Sequence, residues 1–165
     1  MMDNNVADNK EYRTQMPLNV SNEFWKSKTL EQMTTDEWEA LCDGCGRCCL
    51  QKLEDRKTGK VKYTWVACYL FDTEACRCTN YAERIHLVKS CTALTPSRVR
   101  AYRWLPKTCA YRLVAEGKAL PPWHPLITGD KTSVHTAGIS MKGRAIPETN
   151  VHPDDVAYYA MEGRF

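Results

Sequence analysis

Four thiols lie within eight positions of the stretch "LCDGCGRCCLQKLED", at Cys42, Cys45, Cys48 and Cys49, and five more cysteines follow downstream. Two steps of three residues with a fourth cysteine adjoining put sulfur on one stripe of a helix or on the inside of a tight loop. Gly44 and Gly46, set between them, permit the backbone turns that close approach demands. Four thiolates at about 2.3 Å satisfy a tetrahedral zinc ion. The triple spacing suits equally well an iron-sulfur cluster completed by a distant cysteine. A cysteine taken singly is a small, often buried hydrophobe, so only the grouping points to metal.

The distant donors are present. Cys76 and Cys78 alternate in "ACRC", which predicts an extended segment with both side chains on one side, and Cys68 and Cys91 flank them. Cys42, Cys45, Cys48, Cys49, Cys68, Cys76, Cys78 and Cys91 are therefore eight candidate metal ligands, enough for two four-coordinate ions or one polynuclear site. Spacing leaves their division open. Cys109, in "LPKTCAYRL", is expected on a helix beside Ala110 and Leu113, as core rather than ligand.

Metal is favoured over disulfides by the expected compartment. The first thirty residues contain no apolar run of signal-peptide length, and nowhere do eighteen apolar residues follow one another, so a cytoplasmic protein with no membrane span is expected. Reducing pools keep thiols free there, and adjacent cysteines such as Cys48 and Cys49 rarely meet disulfide geometry. The formal charge of +3 is too small to announce a nucleic-acid binder. Eight thiolates holding two divalent ions would add a net −4 and turn it to −1.

The surrounding elements must position these sulfurs. With 165 residues, 43% hydrophobic and 26% charged, one globular unit is expected. Residues 1–20 are polar and without periodicity, and read as a loosely ordered arm; a single domain is assigned to residues 21–165, with packing from Phe24 and Trp25. "TTDEWEALC" predicts a helix capped by Thr34 with Glu37 as capping-box partner, delivering the chain into the cysteines. "CCLQKLEDRKTGKVKYTWVAC" predicts a hairpin turning at Asp55 to Gly59, which returns Cys68 toward Cys48 and Cys49. Helices are expected from Thr95 and Pro96, from Thr108 to a stop at Gly117, and over "HPDDVAYYAMEGRF"; "LPPWHPLITGD" is too proline-rich for regular structure. The fold class expected is mainly α with a small β-hairpin and long irregular segments, a compact metal-stabilised single domain.

The run "LCDGCGRCCLQKLED", followed by "VACYLFD", "CRC", Tyr81 and Arg84, Cys91, "WLPKTCAYR", "WHPL" and "VHTAGIS", resembles the YcgN-like branch of the bacterial CxxCxxCC cysteine-cluster family of zinc- or iron-chelating proteins. The resemblance spans roughly residues 24 to 148. It implies metal-ligand roles for the eight cysteines named above and no known reaction. A wider relative, the flagellin lysine methylase, is associated with an iron-sulfur cluster, which shifts the expectation toward iron. This chain departs from the pattern at Ile85, where the broader family has proline, and at Ser90, where the branch has an acid.

Other chemistries have weaker support. His124 and His135 could ligate metal or act as a base, but a buried histidine satisfied by backbone is the commoner case, and His86 and His152 carry less signal. No cysteine stands beside a histidine in a nucleophile setting, so the sequence carries no enzymatic signature. "RVRAYRWLPKTCAYR" interleaves five cations with aromatics, as a nucleic-acid surface does, but on one helix Arg98, Arg100, Arg103 and Lys107 would be spread around the axis. The function expected is a protein coordinating zinc or iron. An iron-sulfur redox or accessory protein and a metal-stabilised nucleic-acid-binding module are the alternatives, and no protein partner is implied.

Overall fold

The computed structural model describes residues 23–163; the arm expected over residues 1–20 lies outside them. The chain enters through α1 (Phe24–Ser27), whose Phe24 and Trp25 rings meet edge to face and are both buried. α2 (Thr35–Ala40) follows as the capping residues dictate: Glu37 N–H donates to Thr34 Oγ1 at 3.2 Å, and Thr34 N–H donates back to the Glu37 carboxylate at 2.9 Å. A loop and a 3₁₀ turn, Arg47–Cys49, carry the cysteine run into β1 (Leu50–Glu54). β1 pairs antiparallel with β2 (Val61–Ala67).

The hairpin has a slipped register. Leu50 opposes Ala67 but Lys52 opposes Tyr63, so β2 carries extra residues at its centre. Thr64 lies there, fully buried, with its hydroxyl donating to the Gln51 carbonyl at 2.9 Å. β2 is the central strand of a three-stranded mixed sheet, flanked on its other side by the parallel β5 (Ile146–Pro147). That explains why Thr64 and Val66 are buried as well as Tyr63, where simple alternation predicts one wet face. A second, two-stranded sheet joins β3 (Phe71–Asp72) to β4 (Arg77–Cys78).

The remainder is short: α3 (Arg84–Leu87), α4 (Ala110–Ala115), α5 (Pro125–Thr128) and α6 (Ser133–Thr136), joined by 3₁₀ turns and loops. The expectation of a mainly α domain is therefore corrected: 33% of the residues are helical and 13% are in strands, around a small mixed sheet. The helix expected from Thr95 reduces to a three-residue 3₁₀ turn, Val99–Ala101. Its cations are drawn to separate partners, Arg98 onto the Tyr102 ring and Arg100 to Glu31, and Pro106 disfavours helical backbone at Leu105. The closing segment forms a 3₁₀ run, Pro153–Tyr159, with Asp154 and Asp155 in its first turn. It ends because Ala160 bridges Thr64 and Met161 N–H donates to the Tyr63 carbonyl, which draws the chain out along β2. The proline-rich "LPPWHPLITGD", expected to be irregular, does contain a helix, α5, because Pro125 occupies its first turn and His124 Nδ1 caps Leu126 N–H.

Two cores result. One gathers Phe24, Trp25, Leu30, Leu41, Val99, Leu105, Ala110, Tyr111, Leu120 and Leu126 beneath the helices; the other gathers Leu50, Tyr63, Ala67, Phe71, Cys76, Met141 and Met161 against the sheets. No helix of the described residues is long and apolar enough to cross a membrane.

Candidate metal centre

Between the two cores lies a cavity of about 690 Å³. Leu41, Ala110 and Tyr111 of the first core line it, as do Leu50, Phe71 and Cys76 of the second. So do all nine cysteines of the chain, Cys42, Cys45, Cys48, Cys49, Cys68, Cys76, Cys78, Cys91 and Cys109. None is in a disulfide.

Each sulfur is delivered by an identifiable device. Leu41 ends α2 fully buried, so Cys42 emerges at the cavity edge, exposed. Asp43 then bends the chain back by accepting the Cys45 N–H at 2.9 Å. Gly44 and Gly46 both have φ of 76°, in the left-handed region. A Cβ on Gly46 would stand 2.5 Å from Phe71 Cζ and 3.1 Å from Cys76 Sγ, so a bare backbone is what lets the first cysteine run touch the third sheet strand. The hairpin brings the second set: Cys68 N–H donates to the Cys49 carbonyl at 3.0 Å.

Cys76 departs from the extended pairing expected of "ACRC". Its φ is 54°, a left-handed value for a residue with a side chain, and its thiol donates toward the Gly44 and Cys45 carbonyls at 3.4 and 3.6 Å. Only Arg77 and Cys78 of that segment are strand. Local strain of this kind concentrates at functional sites. Cys91 is brought in by the turn after α3, where its N–H donates to the Val88 carbonyl at 2.9 Å. Arg84 of α3 stacks over the Tyr81 ring at 3.7 Å, and Tyr81 donates its hydroxyl to Glu39 of α2 at 3.0 Å, fastening this turn to the opposite wall.

The electrostatics are those of thiols crowded together. Burial pushes the Cys45 thiol well up, with the Asp43 and Cys48 charges adding to it. Cys68, Cys76 and Cys91 are also raised, each chiefly by burial, and Cys109 is pushed up to about 12. Cys48 moves the other way, to about 7, because Cys49 donates its S–H to it and the Lys52 ammonium stands near. The same hydrogen bond raises Cys49. Lys52 is held there by bonds to the Leu50 and Cys48 carbonyls at 2.7 and 2.9 Å and lies over the Trp104 ring at 4.7 Å.

The donor set fits metal chemistry, in a particular form. Among the described residues no three His, Cys, Asp or Glu side chains already form the shell of a single ion. Nine cysteines line the one cavity instead, a set of soft donors of the kind that suits zinc or iron. The histidines stay outside it: His124 is fully buried, its Nε2 on the Leu41 carbonyl and its Nδ1 on Leu126 N–H, and His135 pairs through Nδ1 with Ser140 Oγ at 2.7 Å. Both are pushed toward the neutral form chiefly by burial. Cys109, expected as core, packs against the first core and lines the cavity as well. Its helical context hid that, since nothing local distinguishes the two uses.

The fold and the thiol-lined cavity define a cysteine-cluster domain. Residues 41–110 match the CxxCxxCC domain, described as "Putative zinc- or iron-chelating domain". A UPF0260 protein of Pseudomonas aeruginosa strain LESB58 is 60% identical over 132 residues, covering 80% of this chain and 89% of its own. UPF0260 proteins of Mesorhizobium japonicum and Granulibacter bethesdensis are 55% and 53% identical, over 84% and 86% of this chain and 95% and 86% of theirs. This chain belongs to the UPF0260 family. No solved structure matches it significantly.

Proposed function

We propose that this protein binds zinc or iron through its cysteines, as a polynuclear thiolate centre seated in the seam between its two cores. The observation that carries this reading is the convergence of every cysteine on one cavity of about 690 Å³. Cys42, Cys45, Cys48 and Cys49 would bind from the loop after α2, and Cys68, Cys76, Cys78 and Cys91 from the hairpin end, the small sheet and the turn after α3. Bound metal supplies positive charge that turns mutually repelling thiols into stable thiolates. It also joins two cores that otherwise meet across a void, so the centre is structural at least in part. An iron-sulfur form of the same centre would make the protein a redox or accessory component.

Anaerobic purification followed by elemental analysis for iron, zinc and acid-labile sulfide per chain tests this. More than one metal per chain is expected. A folded protein free of both metals would overturn the reading, and sulfide equal to iron selects the cluster form.

A second reading has its own observation. Lys60 and Lys62 of the hairpin join Arg103 and Lys107 around a separate groove of about 330 Å³, also lined by Arg112, which pairs with Glu116 at 2.8 Å; no carboxylate is among the described residues of the lining. These cations, drawn from two distant segments, would suit the phosphates of single-stranded nucleic acid.

A further inference from the structure

Asp43 is only 8% exposed, yet it is an acid placed among thiols. Its Oδ1 accepts the Cys45 N–H, but its Oδ2 is buried without a hydrogen-bond partner among the described residues. It makes no ion pair among those residues either. A buried carboxylate oxygen without a donor or a cation is costly, and native proteins rarely leave one so.

Its surroundings make the vacancy of partners more telling. Asp43 lines the cysteine cavity together with Cys42, Cys45, Cys48, Cys49 and Cys76. A buried carboxylate set among thiols is stabilised when a cation is shared among them. The bond made by Oδ1 holds the carboxylate in place and leaves its second oxygen without a donor among the described residues.

We propose that Asp43 Oδ2 is an oxygen ligand of the metal centre, so that the first cysteine run contributes a mixed sulfur and oxygen shell. This rests on the thiolate reading above and adds a donor that the cysteine pattern does not contain. It also sets apart the ion nearest the Cys42–Cys49 run from any held by sulfur alone.

The test is zinc binding by the full chain, prepared anaerobically and stripped of metal, compared between wild type and Asp43→Asn. Asparagine keeps the shape and the Oδ1 bond to Cys45 N–H but removes the charge and the oxygen donor. We expect zinc affinity, measured against a chromophoric chelator, to fall by at least about tenfold. X-ray absorption at the zinc edge should show an oxygen shell at about 2.0–2.2 Å beside sulfur at about 2.3 Å in wild type, weakened in the variant. Metal-free Asp43→Asn should be as stable as metal-free wild type or more so, since a buried charge has gone. Equal affinities and equal spectra would overturn the assignment of Asp43 alone. A less stable metal-free variant with unchanged zinc affinity would do the same and make Asp43 purely structural. If wild type takes up no zinc or iron, the thiolate reading falls and this one with it. Asp43→Glu, which restores the carboxylate, should recover part of the affinity lost in Asp43→Asn, and failure to do so would also count against ligation.

Discussion

The Cys68 amide donates to the Cys49 carbonyl at 3.0 Å. This one bond closes the hairpin beyond its last ladder pair, Leu50 with Ala67, and sets the downstream cysteines against the upstream run. The cavity exists because that closure and the left-handed turns at Gly44 and Gly46 bring two sulfur-bearing segments to the same seam.

Removing one central thiol should loosen the seam. Structural thiolate sites contribute ~10 to 16 kcal/mol on binding, comparable with the whole stability of a domain at about 5 to 15. Cys48→Ser is expected to lower both bound metal per chain and Tm, the latter by several times the 2–4 °C that about 1 kcal/mol produces in a chain of this size. Elemental analysis and calorimetry on the same preparation check it; unchanged metal content would remove Cys48 from the ligand set.

Metal uptake should release protons. Cys45, Cys68, Cys76 and Cys91 are all held protonated at neutral pH, chiefly by burial. A thiol must deprotonate to ligate, so apparent affinity rises with pH and weakens on acidification. Titration calorimetry in buffers of different ionisation enthalpy should give more than one proton released per metal, and a heat independent of buffer would contradict it.

Gly44 and Gly46 make a matched pair for measuring close packing. Both have φ of 76°, but a Cβ on Gly44 meets no atom of the described residues within 4 Å, whereas one on Gly46 strikes the buried Phe71 ring. Gly44→Ala is expected to cost about 1–2 kcal/mol, the left-handed backbone penalty alone. Gly46→Ala should cost that plus an overpacking cost of about 1–3 kcal/mol. Urea denaturation of the two variants gives the difference, and equal losses would mean that the Phe71 contact is yielding.

His124 should make the fold sensitive to mild acid. Burial lowers its folded pKa, against the opposing effects of its bond to the Leu41 carbonyl and the Asp43 charge. The unfolded chain therefore takes up a proton near pH 6.5 that the folded chain refuses until lower pH. The contribution is fully present above that value and is lost as pH falls toward the folded pKa. Wild type should lose more stability than His124→Asn between about pH 7.5 and about pH 5 in denaturant titrations; parallel losses would exclude His124 as the cause.

The basic groove can be tested by salt. If Lys60, Lys62, Arg103 and Lys107 contact phosphates of a single strand, log affinity should fall against log salt with a slope of about −3. Lys60→Glu with Lys62→Glu should flatten that slope by at least about one unit. A salt-independent or undetectable interaction with oligonucleotides would dismiss the second reading.

Local sequence determined the features that depend on a few neighbouring residues. The Thr34 and Glu37 capping box, the hairpin from Leu50 to Ala67 and the stop at Gly117 were all legible, because caps, turn residues and alternation act over one or two turns of chain. The family was legible too, from cysteines in order. Tertiary structure decided the rest. The mainly α expectation failed because short segments such as Val99–Ala101 and Pro153–Tyr159 are shaped by distant partners, Glu31 for Arg100 and the Tyr63 carbonyl for Met161. Only the packing of the two cores could show that Cys109 shares the cavity, that Cys76 takes a left-handed backbone and that Asp43 Oδ2 is buried without a hydrogen-bond partner among the described residues. Burial and convergence are properties of residues far apart in sequence, and no spacing rule along the chain encodes them.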